Sequence, residues 1–147
     1  MNKLKALTTY LIERNLVMPE QLDSWANQVS PEMIWKQDVK GLHFANMRYS
    51  ATFVLERFGG EPGRLMALVG SWLENHDSDR DGLSALVYDI EMLDNDLADV
   101  EITVEFVEPQ YLAEDPAGEI EAFGKTWSFI PFDLWVAEEG EVSSHGR

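Results

Sequence analysis

The sequence predicts an α+β fold: one domain whose mixed, mostly antiparallel sheet carries helices packed on one face. Three observations predict it. Two segments repeat apolar residues at helical spacing. Several others alternate apolar and polar residues at strand spacing. Most of the strands follow one another through short turns. The 147 residues fit one domain of ordinary size, large enough for a core without staples. No repeat or linker divides it, so residues 1–136 are read as the domain and the polar residues 137–147 as a flexible C-terminal tail.

Leu4, Leu7, Leu11 and Ile12 predict an amphipathic first helix over residues 3–14, which Asn15 can end. Pro19 opens a shorter helical segment, Pro19–Asn27, with Leu22 and Trp25 three apart, and Pro31 stops it. Residues 33–39 read as a strand and Lys40-Gly41 as a turn. Leu42–Phe58 returns as a long strand with a bulge near Ala45-Asn46. Tyr49, Ala51, Phe53 and Leu55 share one of its faces and Ser50, Thr52, Val54 and Glu56 the other.

Gly59-Gly60 turns the chain. Pro62 suits the first position of a helix, where its missing N–H costs nothing. Leu65, Leu68, Val69, Trp72 and Leu73 then form a core-facing stripe. Gly70 interrupts this helix at a cost of about 1 kcal/mol relative to Ala, which a close contact with a neighbouring element would explain. Residues 86–92 and 100–106 predict two strands about the turn Asp94-Asn95-Asp96. Paired as a hairpin, they crowd carboxylates on one face, and like charges directly opposite are unfavourable. Residues 109–118 read as a loop, and Gly124-Lys125 as a turn between two short strands, the second an edge or an arm because of Pro131.

Composition excludes several function classes. There is no cysteine, hence no disulfide, thiolate metal site or Cys nucleophile. No apolar run reaches the length of a membrane span, and polar residues interrupt any signal-peptide core. The expected location is the cytoplasm. The net charge of −16 disfavours specific nucleic-acid binding, which needs Lys and Arg against phosphate. Residues 1–84 hold nine Lys and Arg against eleven Asp and Glu, whereas residues 85–147 hold two against sixteen. Such an excess keeps a protein dispersed, engages a basic partner, or repels or mimics DNA.

The motifs that carry chemistry are weak. Asp77-Ser78-Asp79-Arg80-Asp81-Gly82 matches the first half of an EF-hand loop, with carboxylates at positions 1, 3 and 5 and Gly at 6. Position 12, which needs a bidentate Glu, is Tyr88, so the segment is read as an acidic turn and not as a calcium site. His43, His76 and His145 lack ligand spacing. Ser50, Ser71 and Ser78 lack a nucleophile elbow, and Gly59-Gly60 lacks a phosphate-loop spacing and its Lys. No catalytic residue, metal or cofactor is assigned. Phe123, Trp127, Phe129, Phe132 and Trp135 concentrate aromatic area. They serve either the core or an interface, where such rings are enriched.

The chain resembles the tail-completion protein R family of temperate contractile-tailed phages. The resemblance rests on Leu4-Lys5-Ala6-Leu7 and Tyr10-Leu11, on residues 49–58 (Tyr49 to Phe58), on the helix ending Leu68-Val69-Gly70-Ser71-Trp72-Leu73-Glu74-Asn75-His76, and on residues 102–108 (Ile102 to Glu108). It covers roughly residues 1–108. It implies a tail-terminator-like fold and a structural role: completing the head-proximal end of the tail and permitting head–tail joining. It also implies a hexameric ring in contact with tail tube, sheath and neck proteins, within the virion tail. No catalytic residue transfers. On such a ring Asp89, Glu91, Glu101 and Glu105 would face the lumen and repel passing DNA. The alternative is an acidic module that binds a basic protein or mimics DNA.

Overall fold

A computed structural model describes residues 1–132. The chain folds as helix α1 (Asn2–Glu13), strands β1 (Leu22–Asp38) and β2 (Gly41–Phe58), helix α2 (Pro62–His76), then β3 (Val87–Met92), β4 (Ala98–Glu114), β5 (Ile120–Ala122) and β6 (Lys125–Ile130). The six strands form one curled half-barrel sheet in the order β1-β2-β4-β6-β5, with β3 also on β4. Every strand pairing is antiparallel. β4 thus holds β2 along one edge. Its other edge holds β3 against residues 98–103 and β6 against residues 111–114.

Strand alternation creates the main core. Tyr49, Ala51, Phe53 and Leu55 of β2 and Val100, Ile102, Val104 and Phe106 of β4 are buried in one cluster. Leu7 and Leu11 of α1 and Leu65, Val69, Trp72 and Leu73 of α2 join it. Most of the predicted stripe residues are therefore packed, but Leu4 and Leu68 are only half-buried and Ile12 is exposed. Pro62 stands in the first turn of α2 and Glu61 is the N-cap, as the fixed φ of proline favours. Asn95 and Asp96 adopt φ of 64° and 59° in the β3–β4 turn, a conformation that Asn and Asp tolerate better than most residues.

Several expectations are corrected. The segment predicted as the short helix Pro19–Asn27 is helical only over Pro19–Gln21, as a 3₁₀ turn, and from Leu22 it is strand. Long-range pairing of Leu22 with Leu55 and of Trp25 with Thr52 overrides the three-residue spacing. Pro31 does not end an element. It lies inside β1, opposite Met47, and is tolerated because β1 is an edge strand. The β1–β2 turn is Val39-Lys40, and Gly41 (φ 136°) opens β2 with its α-carbon against the Leu112 carbonyl. The register shift in β2 falls at Phe44, between His43 and Ala45.

The expected loop 109–118 is strand up to Glu114. Pro109 is accommodated where β3 has ended and β6 has not begun, so no neighbour on that edge needs its N–H. The β5–β6 turn is Phe123-Gly124, both with positive φ. β6 lies between β4 and β5, so it is not an edge, and Pro131 follows its last residue. Among the described residues nothing lies within 4 Å of a β-carbon built on Gly70, so no contact with them explains that glycine.

Candidate functional site

Three features could carry function: a buried polar clamp, an acidic hairpin and an aromatic patch. The clamp is built on β4. Glu108 falls on the buried row of β4 and is 1% exposed. Its carboxylate accepts the backbone N–H groups of Asn2 (3.1 Å) and Lys3 (2.9 Å) in the first turn of α1. It also accepts the Tyr49 hydroxyl, which in turn accepts the Leu4 N–H at 3.2 Å. A carboxylate on the orphan donors of a helix start satisfies them and complements the helix dipole. Burial and the adjacent Glu108 push the Tyr49 hydroxyl pKa well above the usual tyrosine range, so it donates at every physiological pH.

The same clamp absorbs the start of the EF-hand-like loop. Asp77 is buried, with Lys3 Nζ 2.6 Å from one carboxylate oxygen and Arg80 2.6 Å from the other. Lys3 also donates to the Val107 carbonyl at 2.7 Å and Arg80 to the Glu105 carbonyl at 3.0 Å. Two side-chain cations thus occupy the open edge of β4 between β3 and β6. Among the described residues no cluster of His, Asp and Glu has metal-binding geometry. Asp77 therefore works as the counter-ion that fastens α1 and the α2–β3 loop to the sheet.

β3 and β4 pair as a hairpin that brings carboxylates opposite one another. Asp89 stands opposite Glu101, and Glu91 opposite Asp99. Glu101 lies beside Val54 and Glu105 beside Ser50 on the polar face of β2. Glu105 differs from the other three predicted lumen residues. It accepts the Ser84 N–H at 2.8 Å and sits 3.4 Å from Arg48, and these contacts hold its pKa below the ordinary glutamate value.

The five aromatic residues separate. Trp127 is 2% exposed and forms a second small core with Leu42 and Leu112, its indole N–H donating to the Ala122 carbonyl at 2.8 Å. Phe132 packs at the edge of the main core. Phe123 and Phe129 are 66% and 49% exposed. Trp135 lies outside the described residues. Two rings that the sequence reading did not single out complete the patch. Trp35 lies 5.8 Å from Phe44 and 6.4 Å from Phe123, and Phe44 lies 6.5 Å from Phe129 (ring centroids). Leu112 shares strand parity with the buried row of β4, so this patch lies on the same face as the main core, beyond Glu108. Trp35 was concealed because its φ of 58° breaks the alternation of β1.

Residues 1–131 match the family described as P2 phage tail completion protein R (GpR). A relative in Haemophilus phage HP1 (strain HP1c1), described as an uncharacterized 19.2 kDa protein in the rep-hol intergenic region, is 28% identical over 107 residues. The alignment covers 69% of this chain and 64% of that protein, so the chain spans less than two thirds of its relative's length. No solved structure matches the chain. The family match takes in both helices and all six strands, and the chain belongs to the P2 phage tail completion protein R family.

Proposed function

We propose that this protein is a structural tail terminator. It caps the head-proximal end of the tail tube and sheath, contacts neck proteins, and permits a filled head to join. Family membership over residues 1–131 carries the reading. In this reading the copies form a homomeric ring, a hexamer on a six-fold tube, with both helices of each copy on one face of its sheet. The ring assembles in the host cytoplasm and stays in the virion tail. It is not an enzyme. Its partners are other proteins, and the DNA in its lumen passes without specific contact.

The acidic hairpin supports a lumen-facing role for Asp89 and Glu101, which repel phosphate there. Glu105, held by Arg48 and Ser84, contributes less. The same bare carboxylates favour a second reading, an acidic module that mimics DNA to a basic partner. Light scattering and negative-stain imaging of the purified protein, with and without tails, separate the two. A terminator gives rings near six times the 16.7 kDa monomer mass and decorates one tail end. A protein that never binds tails, and that duplex DNA displaces from a basic partner, overturns the terminator reading.

A further inference from the structure

We propose that the aromatic patch of one copy receives the β3–β4 hairpin tip of the next, so that copies of this chain join head to tail. The inference rests on the ring reading above and names the surfaces that would build it. The patch is an apolar surface left open: Leu42, Leu112 and Trp127 form its buried floor, while Phe123 and Phe129 stand exposed at its rim. The hairpin tip is the complementary projection. Met92 is 67% exposed and Leu93 beside it is also exposed, at a turn that the Leu93 N–H closes on the Leu97 carbonyl at 2.7 Å.

The two surfaces lie at opposite ends of β4. The tip pairs with Ala98 and the patch with Leu112, a span of about 45 Å along the strand. The tip therefore cannot reach the patch of its own chain, and a second copy is the occupant. A contact between two different surfaces of one molecule is heterologous, and it closes into a ring when the rotation between copies allows. A patch meeting a patch would stop at a dimer.

Charge favours the same pairing. No Lys or Arg occurs between Arg80 and Lys125, so the tip carries Glu91, Asp94 and Asp96 with no cation of its own. The cross-strand pair nearest the tip, Glu91–Asp99, repels, and a cationic neighbour relieves it. At the patch end Lys36 follows Trp35 and Lys40 occupies the β1–β2 turn. Neither has an ion pair among the described residues. Two carboxylates at that end are engaged, Asp38 by Tyr111 at 2.8 Å and Glu114 by Lys125 at 3.3 Å. Glu119 and Glu121 lie at and beside β5, so the lysine-bearing β1–β2 side of the patch is where the acidic tip is received.

Charge reversal tests this without touching a core. Lys36→Glu with Lys40→Glu makes one variant, and Glu91→Lys with Asp94→Lys makes the other. Sedimentation of the wild-type protein should show a closed oligomer, weakened by salt. Each variant alone should associate at least about tenfold more weakly, because like charges then meet at every contact. An equimolar mixture should recover the oligomer with the two variants alternating, since each swapped surface again meets its opposite. The inference is overturned if the wild-type protein stays monomeric, if either variant assembles as the wild type does, or if the mixture does not recover. Those outcomes leave the terminator reading standing wherever the wild-type protein still decorates tails.

Discussion

Tyr49 and Tyr88 occupy equivalent inward positions on neighbouring stretches of the sheet, yet their hydroxyls differ. Tyr49 donates to Glu108 and accepts from the Leu4 N–H. Among the described residues the Tyr88 hydroxyl has no partner, and burial pushes its pKa up to about 12. The same substitution should therefore act with opposite signs. Tyr88→Phe removes an unsatisfied polar atom and should leave stability unchanged or raise it by about 1 kcal/mol. Tyr49→Phe strips a donor from a buried carboxylate and should cost about 1–3 kcal/mol. Urea denaturation of the two variants measures both. At this scale the sequence was only partly legible. The alternation placed Tyr49 on an inward face, whereas Tyr88 was read only as the residue that breaks a calcium loop at its twelfth position. Nothing local revealed that Glu108 would meet the first turn of α1, because that contact joins residues more than a hundred positions apart.

Elements were legible where one face is buried against many partners, as in α1, α2, β2 and the first half of β4. They were misread where pairing is one-sided. β1 is an edge strand whose two register shifts, near Gln28 and Trp35, destroy the period that identifies a strand. Pro109 suggested a loop because a proline inside a strand is permitted only where one edge is empty, and sequence does not show which edge is empty. Gly70 is a different case. It sits on the exposed face of α2, with open space where a β-carbon would stand. Gly70→Ala should therefore raise the stability of the isolated protein by about 1 kcal/mol, read as a higher denaturation midpoint at unchanged slope. A loss of stability would mean that the backbone at Gly70 needs the freedom of glycine. A gain in stability with loss of tail binding would place this helix face against another tail protein.

At the scale of the whole molecule the charge is arranged by topology as well as by composition. The cation-free stretch from Asp81 to Gly124 supplies β3, β4 and β5, and its described cationic contacts come from outside it, through the N-terminus, Lys3, Arg48, Arg80 and Lys125. The β3–β4 pairs Asp89–Glu101 and Glu91–Asp99 therefore meet as like charges with no described ion pair, Asp99 alone accepting a backbone N–H, from Arg57. Raising salt from 0.01 M to 0.1 M shortens the screening length from about 30 Å to about 10 Å. The monomer should gain about 1–2 kcal/mol over that range, since each opposed pair costs roughly 0.2–1 kcal/mol and the net charge adds a diffuse repulsion. For a domain of this size that corresponds to a rise in melting temperature of about 3–6 °C. The measurement belongs at a protein concentration where sedimentation shows monomer, because salt weakens the head-to-tail contact while it strengthens the fold. Glu91→Gln with Glu101→Gln breaks one partner of each opposed pair. It should raise the melting temperature at low salt and flatten its dependence on salt. A wild-type melting temperature that does not change with salt would show that the hairpin carboxylates are not repelling one another, and the lumen role assigned to them would lose its physical basis.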